Sequence, residues 1–274
     1  MRKALRRKLL PRLPWPPALG NATNSTNDIC LKMSLVNNGD VWTLPNGIKI
    51  YVPLYPWDSI QKTIVNEHQF FEQDILNALR SYIPDQAVIL DIGANIGNHS
   101  LFWATLLNAK TIHAFEPLQE TYRMLVRNIE INELENVIIP HNIGLGDKSS
   151  SGEIAAQDAN NIGGTSIKES GASNRYALKI ERLDDIDLGE TKIDFCKIDV
   201  EGYELKTLAG MKETLRKYKP VVFIEAFEEG KGHPIPKGCE ANAPKVKDFF
   251  RNLGYDAPLF FAPYNWLFVP KSTP

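Results

Sequence analysis

The stretch from Val88 to Ser100, VILDIGANIGNHS, constrains the fold more than any other, because it reads from a strand through a small-residue turn into a helix. Val88, Ile89 and Leu90 form the short apolar run expected of a strand covered on both faces, as in a parallel sheet. Gly93 and Gly97 then allow a sharp bend and a close backbone approach to a ligand. A dinucleotide-binding loop asks for glycine at three places, and here those places hold Gly93, Asn95 and Asn98. Pyrophosphate also needs free N–H groups and a helix N-terminus, and the carboxylate of Asp91 at the strand end would repel it. The same carboxylate suits the ammonium group of a methionine moiety. The expected ligand is therefore S-adenosylmethionine.

The rest of the chain alternates in a way that supports a doubly wound sheet. Strands are predicted over 88–91, 111–115, 137–143, 193–198 and 221–225, with helices over 97–107 and 118–132 between the first three. A helix over 244–252 and two short strands near Tyr255–Phe261 and Trp266–Val269, the last pair antiparallel, close the sheet. Ahead of this core, Asn46-Gly47 between apolar flanks predicts a hairpin, and Phe71, Ile75 and Leu79 predict an amphipathic helix over about 67–82. The Ser-, Gly- and Asn-rich segment 149–174 is expected to be a long loop or irregular hairpin over one edge. The domain boundaries that follow are a basic arm over 1–40 and one domain over 41–274, with hairpin and helix in 41–85 and the core in 86–274.

Composition narrows the class. With 274 residues and a net charge of −2, the chain holds one large core and has no general attraction to nucleic acid. Cys30, Cys196 and Cys239 have no paired spacing, so neither a disulfide framework nor a zinc site is expected. The basic, proline-rich first twenty residues contain no apolar run long enough for a membrane span or a signal core. Asn21-Ala22-Thr23 and Asn24-Ser25-Thr26 are glycosylation acceptor triplets, but so is Asn98-His99-Ser100 inside the ligand loop, where a glycan would block the site. We expect a cytoplasmic protein without a transmembrane segment; homo-oligomerisation is left open.

One predicted strand after another ends in an acid: Asp91, Glu116 after Phe115, Asp147 after the third strand, Asp199 and Glu225. Ligands of open α/β sheets bind beyond these carboxyl ends, and an unpaired carboxylate is costly to bury for packing alone. Glu116, 19 residues beyond Gly97, is placed to accept ribose hydroxyls, or to cap the helix after Pro117. Asp147 is a candidate partner for the adenine amino group, although Gly-Asp is also a common turn. Asp91, Gly93, Asn95, Gly97, Glu116 and Asp147 form the candidate cofactor set.

Three strings together, Asp91-Ile-Gly-Ala-Asn-Ile-Gly97, Phe115-Glu-Pro117 and Lys197-Ile-Asp-Val-Glu-Gly202, resemble the FkbM family of S-adenosylmethionine-dependent methyltransferases. The similarity in element order runs from about Phe71 to Val269. It implies a class I methyltransferase fold, Rossmann-like, with a mostly parallel seven-stranded sheet and a small N-terminal β/helical extension. It also implies O-methylation of a hydroxyl on a sugar, glycan or polyketide-like metabolite.

Methyl transfer is an in-line displacement that depends on alignment and on excluding water. Asp199, then Glu201, then Glu225 are the candidate catalytic bases; Glu201 and Glu204 are alternatively caps of the helix that follows. The same three carboxylates would suit magnesium, but no metal is expected. His99 is expected at a helix start facing cofactor or solvent, and His233 in a loop able to fold over the acceptor. Gly163-Gly164-Thr165-Ser166 and the aromatics Trp57, Tyr203, Phe227 and Trp266 are candidate acceptor contacts. A nicotinamide-dependent oxidoreductase and a noncatalytic S-adenosylmethionine-binding scaffold are the competing readings.

Overall fold

Buried apolar runs separated by amphipathic helices can satisfy their backbone only in a covered parallel sheet, and the computed structural model has one. It describes residues 40–158, 161–169, 178–230, 234–236, 239–261 and 263–271. The basic arm through residue 39, Cys30 and His233 lie outside the described residues. A hairpin, β1 (Val41–Thr43) and β2 (Lys49–Tyr51), leads to helices α1 (Ser59–Glu67) and α2 (Gln73–Leu79). The core follows as β3 (Val88–Ile92), α3 (Asn98–Leu106), β4 (Thr111–Phe115), α4 (Gln119–Ile131) and β5 (Ile138–His141). After β6 (Gly144–Leu145) come the hairpin β7 (Ser150–Asp158) and β8 (Asn161–Glu169), and then β9 (Leu178–Glu181). The chain ends in β10 (Phe195–Ile198), α5 (Glu204–Gly210), α6 (Lys212–Tyr218), β11 (Val221–Glu225), α7 (Ala243–Asn252), β12 (Leu259–Phe261) and β13 (Asn265–Phe268).

The seven-stranded sheet has the order β12-β13-β11-β10-β3-β4-β5. The five strands from β11 to β5 run parallel, whereas β13 is antiparallel to β11 and to β12. From β3 the chain winds outward through β4 and β5; from β10 it winds the other way. The β3/β10 gap is therefore the topological switch point, where ligands of such sheets bind. Two apolar layers cover the sheet. Ile89, Ile112 and Phe195 pack with α3, α4 and the N-terminal extension, and Leu90, Cys196 and Val222 pack with α5 to α7. Asp91 and its register partner Lys197 point to the α3 side.

Three expectations change in the structure. The helix predicted over 67–82 begins only at Gln73 and ends in a 3-10 turn over Arg80–Tyr82, because His68 and Glu72 are left-handed and Asn98 binds both backbone groups of Phe71. The separate helix α1 was absent from the sequence reading, since its apolar positions repeat only weakly. The third strand stops at His141: Asn142 donates to the carbonyls of Glu116 and Pro117, and Gly144–Leu145 pairs with β9 in a second, four-stranded sheet. That sheet contains the β7–β8 hairpin, with register shifts, so 149–174 is hairpin where the structure describes it.

The N-terminal hairpin is fixed to the core by two side chains of α4. Asn132 exchanges hydrogen bonds with both backbone groups of Lys49, and Asn128 accepts from Tyr51 N while donating to Ile96 O. Extension and ligand loop are thereby held against one helix. Among the described residues no helix is long and apolar enough to cross a membrane.

Candidate active site

The cavity lies over the switch point, between the loop after β3, the ends of β4, β10 and β11, and the N-terminal extension. Its geometry begins with Gly93, φ +80°, where a Cβ would come 1.7 Å from the carbonyl oxygen of Asp199. Gly97, φ +86°, faces Leu125 of α4, and a Cβ there would approach Cδ1 at 2.6 Å. Both glycines are needed for conformation, and Gly93, set against backbone, for space as well.

The loop spends its amides internally. Gly93 N and Ala94 N donate to Phe115 O, Gly97 N donates to Ala94 O, and Asn95 N donates to Glu116 Oε2 at 2.8 Å. Glu116 also accepts, through Oε1, from Leu118 N and Thr121 Oγ1. Its helix-capping role and its place in the cavity wall therefore coexist. Burial pushes its carboxyl above the usual range, against the pull of these hydrogen bonds. Because a carboxylate oxygen has two acceptor positions, Oε2 keeps one for a ligand hydroxyl.

Asp91 is placed differently from the expectation. It lies inside β3 rather than at its tip, is fully buried, and is not among the residues lining the cavity. Ser100 donates to its Oδ2 at 2.6 Å, and Lys197 Nζ stands 3.7 Å from Oδ1. Lys197 reaches Gly93 O at 3.0 Å and Asp199 Oδ2 at 3.1 Å. Burial pulls the Lys197 pKa down, but Asp199 and Asp91 outweigh it and raise it, so the ammonium is charged. One lysine against two carboxylates leaves one negative charge at the half-open Asp199. Sequence reading gave Lys197 no role, although a lysine inside the buried strand FCKI is itself a signal.

Around Asp199 the carboxylates crowd. Oxygens of Asp199, Glu201 and Glu225 all lie within 4.8 Å of one another, a spacing compatible with a divalent cation or with shared protons. Glu201 sits at φ +51°, followed by Gly202 at φ +95°, which turns the chain immediately after β10. Burial first, then Asp199 and Glu204, pushes Glu201 up to about 8. Burial and the same neighbours raise Glu225 well above the carboxylate range. Glu204, buried on α5, accepts from Gly202 N and Asn242 Nδ2 and is raised to about 7, mainly by burial. It, rather than Glu201, caps the turn. The Cys239 thiol beside Gly202 is pushed up to about 12 by burial and this acidic field.

Other expected residues divide clearly. Tyr203 and Thr165 line the cavity; Phe227 and Trp266 are buried in the core and Trp57 is on the surface, none of them in the cavity wall. Asp147 is exposed and outside the wall, because the chain leaves the main sheet at Asn142 and carries it away. His99 lines the cavity, with Nε2 3.2 Å from Glu72 Oε2. Glu72 was not a candidate in the sequence, since it reaches the site only through the break between α1 and α2.

The chain is similar to known methyltransferases. The methyltransferase FkbM domain model matches residues 91–257. Hexuronic acid methyltransferase AglP of Haloferax volcanii is 31% identical over 152 residues, covering 55% of this chain and 61% of that protein. Methyltransferase sdnD of Sordaria araneosa is 27% identical over 230 residues, covering 72% and 81%. The crystal structure of methyltransferase FkbM from Methylobacillus flagellatus KT superposes with a TM-score of 0.48 at 14% identity, over 89% of this chain and 58% of that one. The match thus spans about three fifths of the first relative's length. With the family's domain matched over more than half its residues and the motifs folded around one cavity, the chain belongs to the FkbM methyltransferase family.

Proposed function

We propose that the chain is an S-adenosylmethionine-dependent O-methyltransferase acting on a hydroxyl of a sugar, glycan or polyketide-like small molecule. The observation that carries this reading is the charge count at the switch point: one ammonium, Lys197, stands 3.7 Å from buried Asp91 and 3.1 Å from half-open Asp199, and the negative charge left over suits a ligand ammonium at Asp199. Glu116 Oε2 supplies the ribose contact from the next strand. The bound cofactor supplies a methyl group on a positively charged sulfur. Asp199, Glu201 and Glu225 surround the acceptor end, where the charge of Asp199 attracts that of the sulfur and the oxygens of all three orient the hydroxyl. The amides of Gly93, Ala94, Asn95 and Gly97 are bonded within the protein, so at those four positions the pyrophosphate of a nicotinamide dinucleotide would find no free N–H.

The test is calorimetric titration with S-adenosylmethionine, S-adenosylhomocysteine and NAD, on wild type and Asp199→Asn. It is followed by labelled-methyl transfer to methyl glucoside, galactose, glucosamine and glucuronate, with and without EDTA. Binding of the first two ligands alone, weakened in the variant, and transfer that survives EDTA are expected. Binding of NAD alone would replace this reading with the oxidoreductase. Cofactor binding without transfer to a sugar or to any other hydroxyl acceptor would favour the scaffold.

A further inference from the structure

We propose that His99, held by Glu72, is the group that takes the proton from the acceptor hydroxyl, an assignment that rests on the methyl-transfer reading above. His99 is nine-tenths buried, stands in the second position of α3 and forms part of the cavity wall. Its Nε2 is 3.2 Å from Glu72 Oε2, yet meets no partner at a hydrogen-bonding angle. Such loosely aligned pairs tighten when a complex forms. The ring also leans on Trp103, with centroids 5.6 Å apart, which limits its rotation. Glu72 takes a left-handed backbone, φ +58°, at the break before α2, and this conformation brings it to the cavity wall. A carboxylate on one imidazole nitrogen fixes that nitrogen as the donor and leaves the other as a base.

The carboxylates that crowd the site fit this duty less well. Asp199 shares Lys197 with Asp91, at 3.1 Å, and in the reading above it faces the ammonium of the cofactor rather than the acceptor. Glu201 and Glu225 are pushed up by burial and by Asp199, which favours their protonated forms and a role as hydrogen-bond partners to the acceptor. In the step assigned to His99, the acceptor oxygen bonds to the methyl carbon as the carbon–sulfur bond breaks. The electron pair stays on sulfur and yields S-adenosylhomocysteine. The hydroxyl proton passes to Nδ1 of His99, Glu72 balances the imidazolium, and water carries the proton away. The ionisable groups lining the same cavity besides His99 are Glu72, Glu116, Lys197, Asp199, Glu201 and Glu225, with Asp91 behind Lys197.

The experiment compares wild type, His99→Gln, His99→Ala and Glu72→Gln on whichever of the four sugars above turns over fastest. Thermal melting confirms folding, and calorimetry with S-adenosylhomocysteine follows the cofactor site separately. Loss of a base is expected to lower kcat of His99→Gln by about 100-fold or more. S-adenosylhomocysteine affinity should stay within about threefold, and added imidazole should restore part of the turnover of His99→Ala. In Glu72→Gln the acid limb of the kcat profile should move. ¹⁵N-histidine spectra should show the Nε2–H form of His99 in wild type and its loss in Glu72→Gln, a readout that requires no acceptor. Turnover of His99→Gln within threefold of wild type would overturn the assignment, as would a parallel loss of cofactor affinity. An unchanged tautomer in Glu72→Gln would do the same. Wild type that binds no S-adenosylhomocysteine would instead defeat the reading on which the assignment rests.

Discussion

The two ends of the cavity handle polar groups in opposite ways. At the glycine-loop end four loop amides have protein partners, in Phe115, Ala94 and Glu116, and Glu116 is held by three donors. At the other end Asp199, Glu201 and Glu225 press together with few donors among them, and Glu201 carries a left-handed backbone. Satisfied groups make a rigid mould; crowded buried carboxyls hold their protons more tightly, and a cationic ligand favours their charged forms. Lys197 joins the two, touching the loop through Gly93 O and the carboxylates through Asp199.

The largest way to break this contrast is Lys197→Met, which removes the link. Fully buried Asp91 would lose its counter-charge, and breaking a buried pair in this way costs about 3–5 kcal/mol, read by urea denaturation. A loss below about 1 kcal/mol would show that Asp91 is compensated by Ser100 alone.

Gly93→Ala attacks the rigid end. Its Cβ would stand 1.7 Å from Asp199 O in a left-handed conformation that costs an L residue about 1–2 kcal/mol even without the clash. The displaced loop is expected to lower methyl transfer by about 100-fold. The same assay on Gly230→Ala, where a Cβ meets nothing within 4 Å, should show far less.

A pH series sharpens the comparison further. Glu201 binds its proton more tightly folded than unfolded, so its stabilisation is present below about 4.5 and is lost as pH rises through about 8. The apo fold should therefore weaken over that window by up to about 1.4 kcal/mol per pH unit for each such group. Glu225→Gln should flatten the slope and raise the melting temperature at pH 8 but not at pH 5. A separate pair gives the opposite sign. His141, whose Nε2 lies 3.2 Å from His113 Nδ1, is pushed down from 6.5 to about 4 by burial and by His113. Its contribution is present above 6.5 and lost as pH falls through about 4, and His141→Gln should remove that acid limb. The smallest effect belongs to Asp147→Ala. At this exposed position outside the cavity wall, stability should change by no more than about 0.5 kcal/mol and cofactor affinity by less than twofold.

Legibility followed the same division. The strand–loop–helix from Val88 to Ser100, the acid after Phe115 and the hairpin at Asn46-Gly47 were readable because each rests on local conformational preferences of neighbouring residues. Asp199, Glu201 and Glu225 were readable as candidates from their strand ends, and the fold brings their oxygens together. The inward turn of Asp91, the removal of Asp147 and the arrival of Glu72 beside His99 were not. Each depends on a partner distant in sequence: Lys197 for Asp91, the β6–β9 pairing for Asp147, and the Asn98 bonds to Phe71 for Glu72.

By itself, then, the sequence determined the alternating sheet, the glycine loop and the acids at its strand ends, since propensity, periodicity and steric permission act over a few residues. Only the tertiary structure decided which acids keep their charge. Burial and the distance to Lys197 arise from packing across the switch point, and in a low-dielectric interior a few ångströms separate an ion-paired carboxylate from a protonated one.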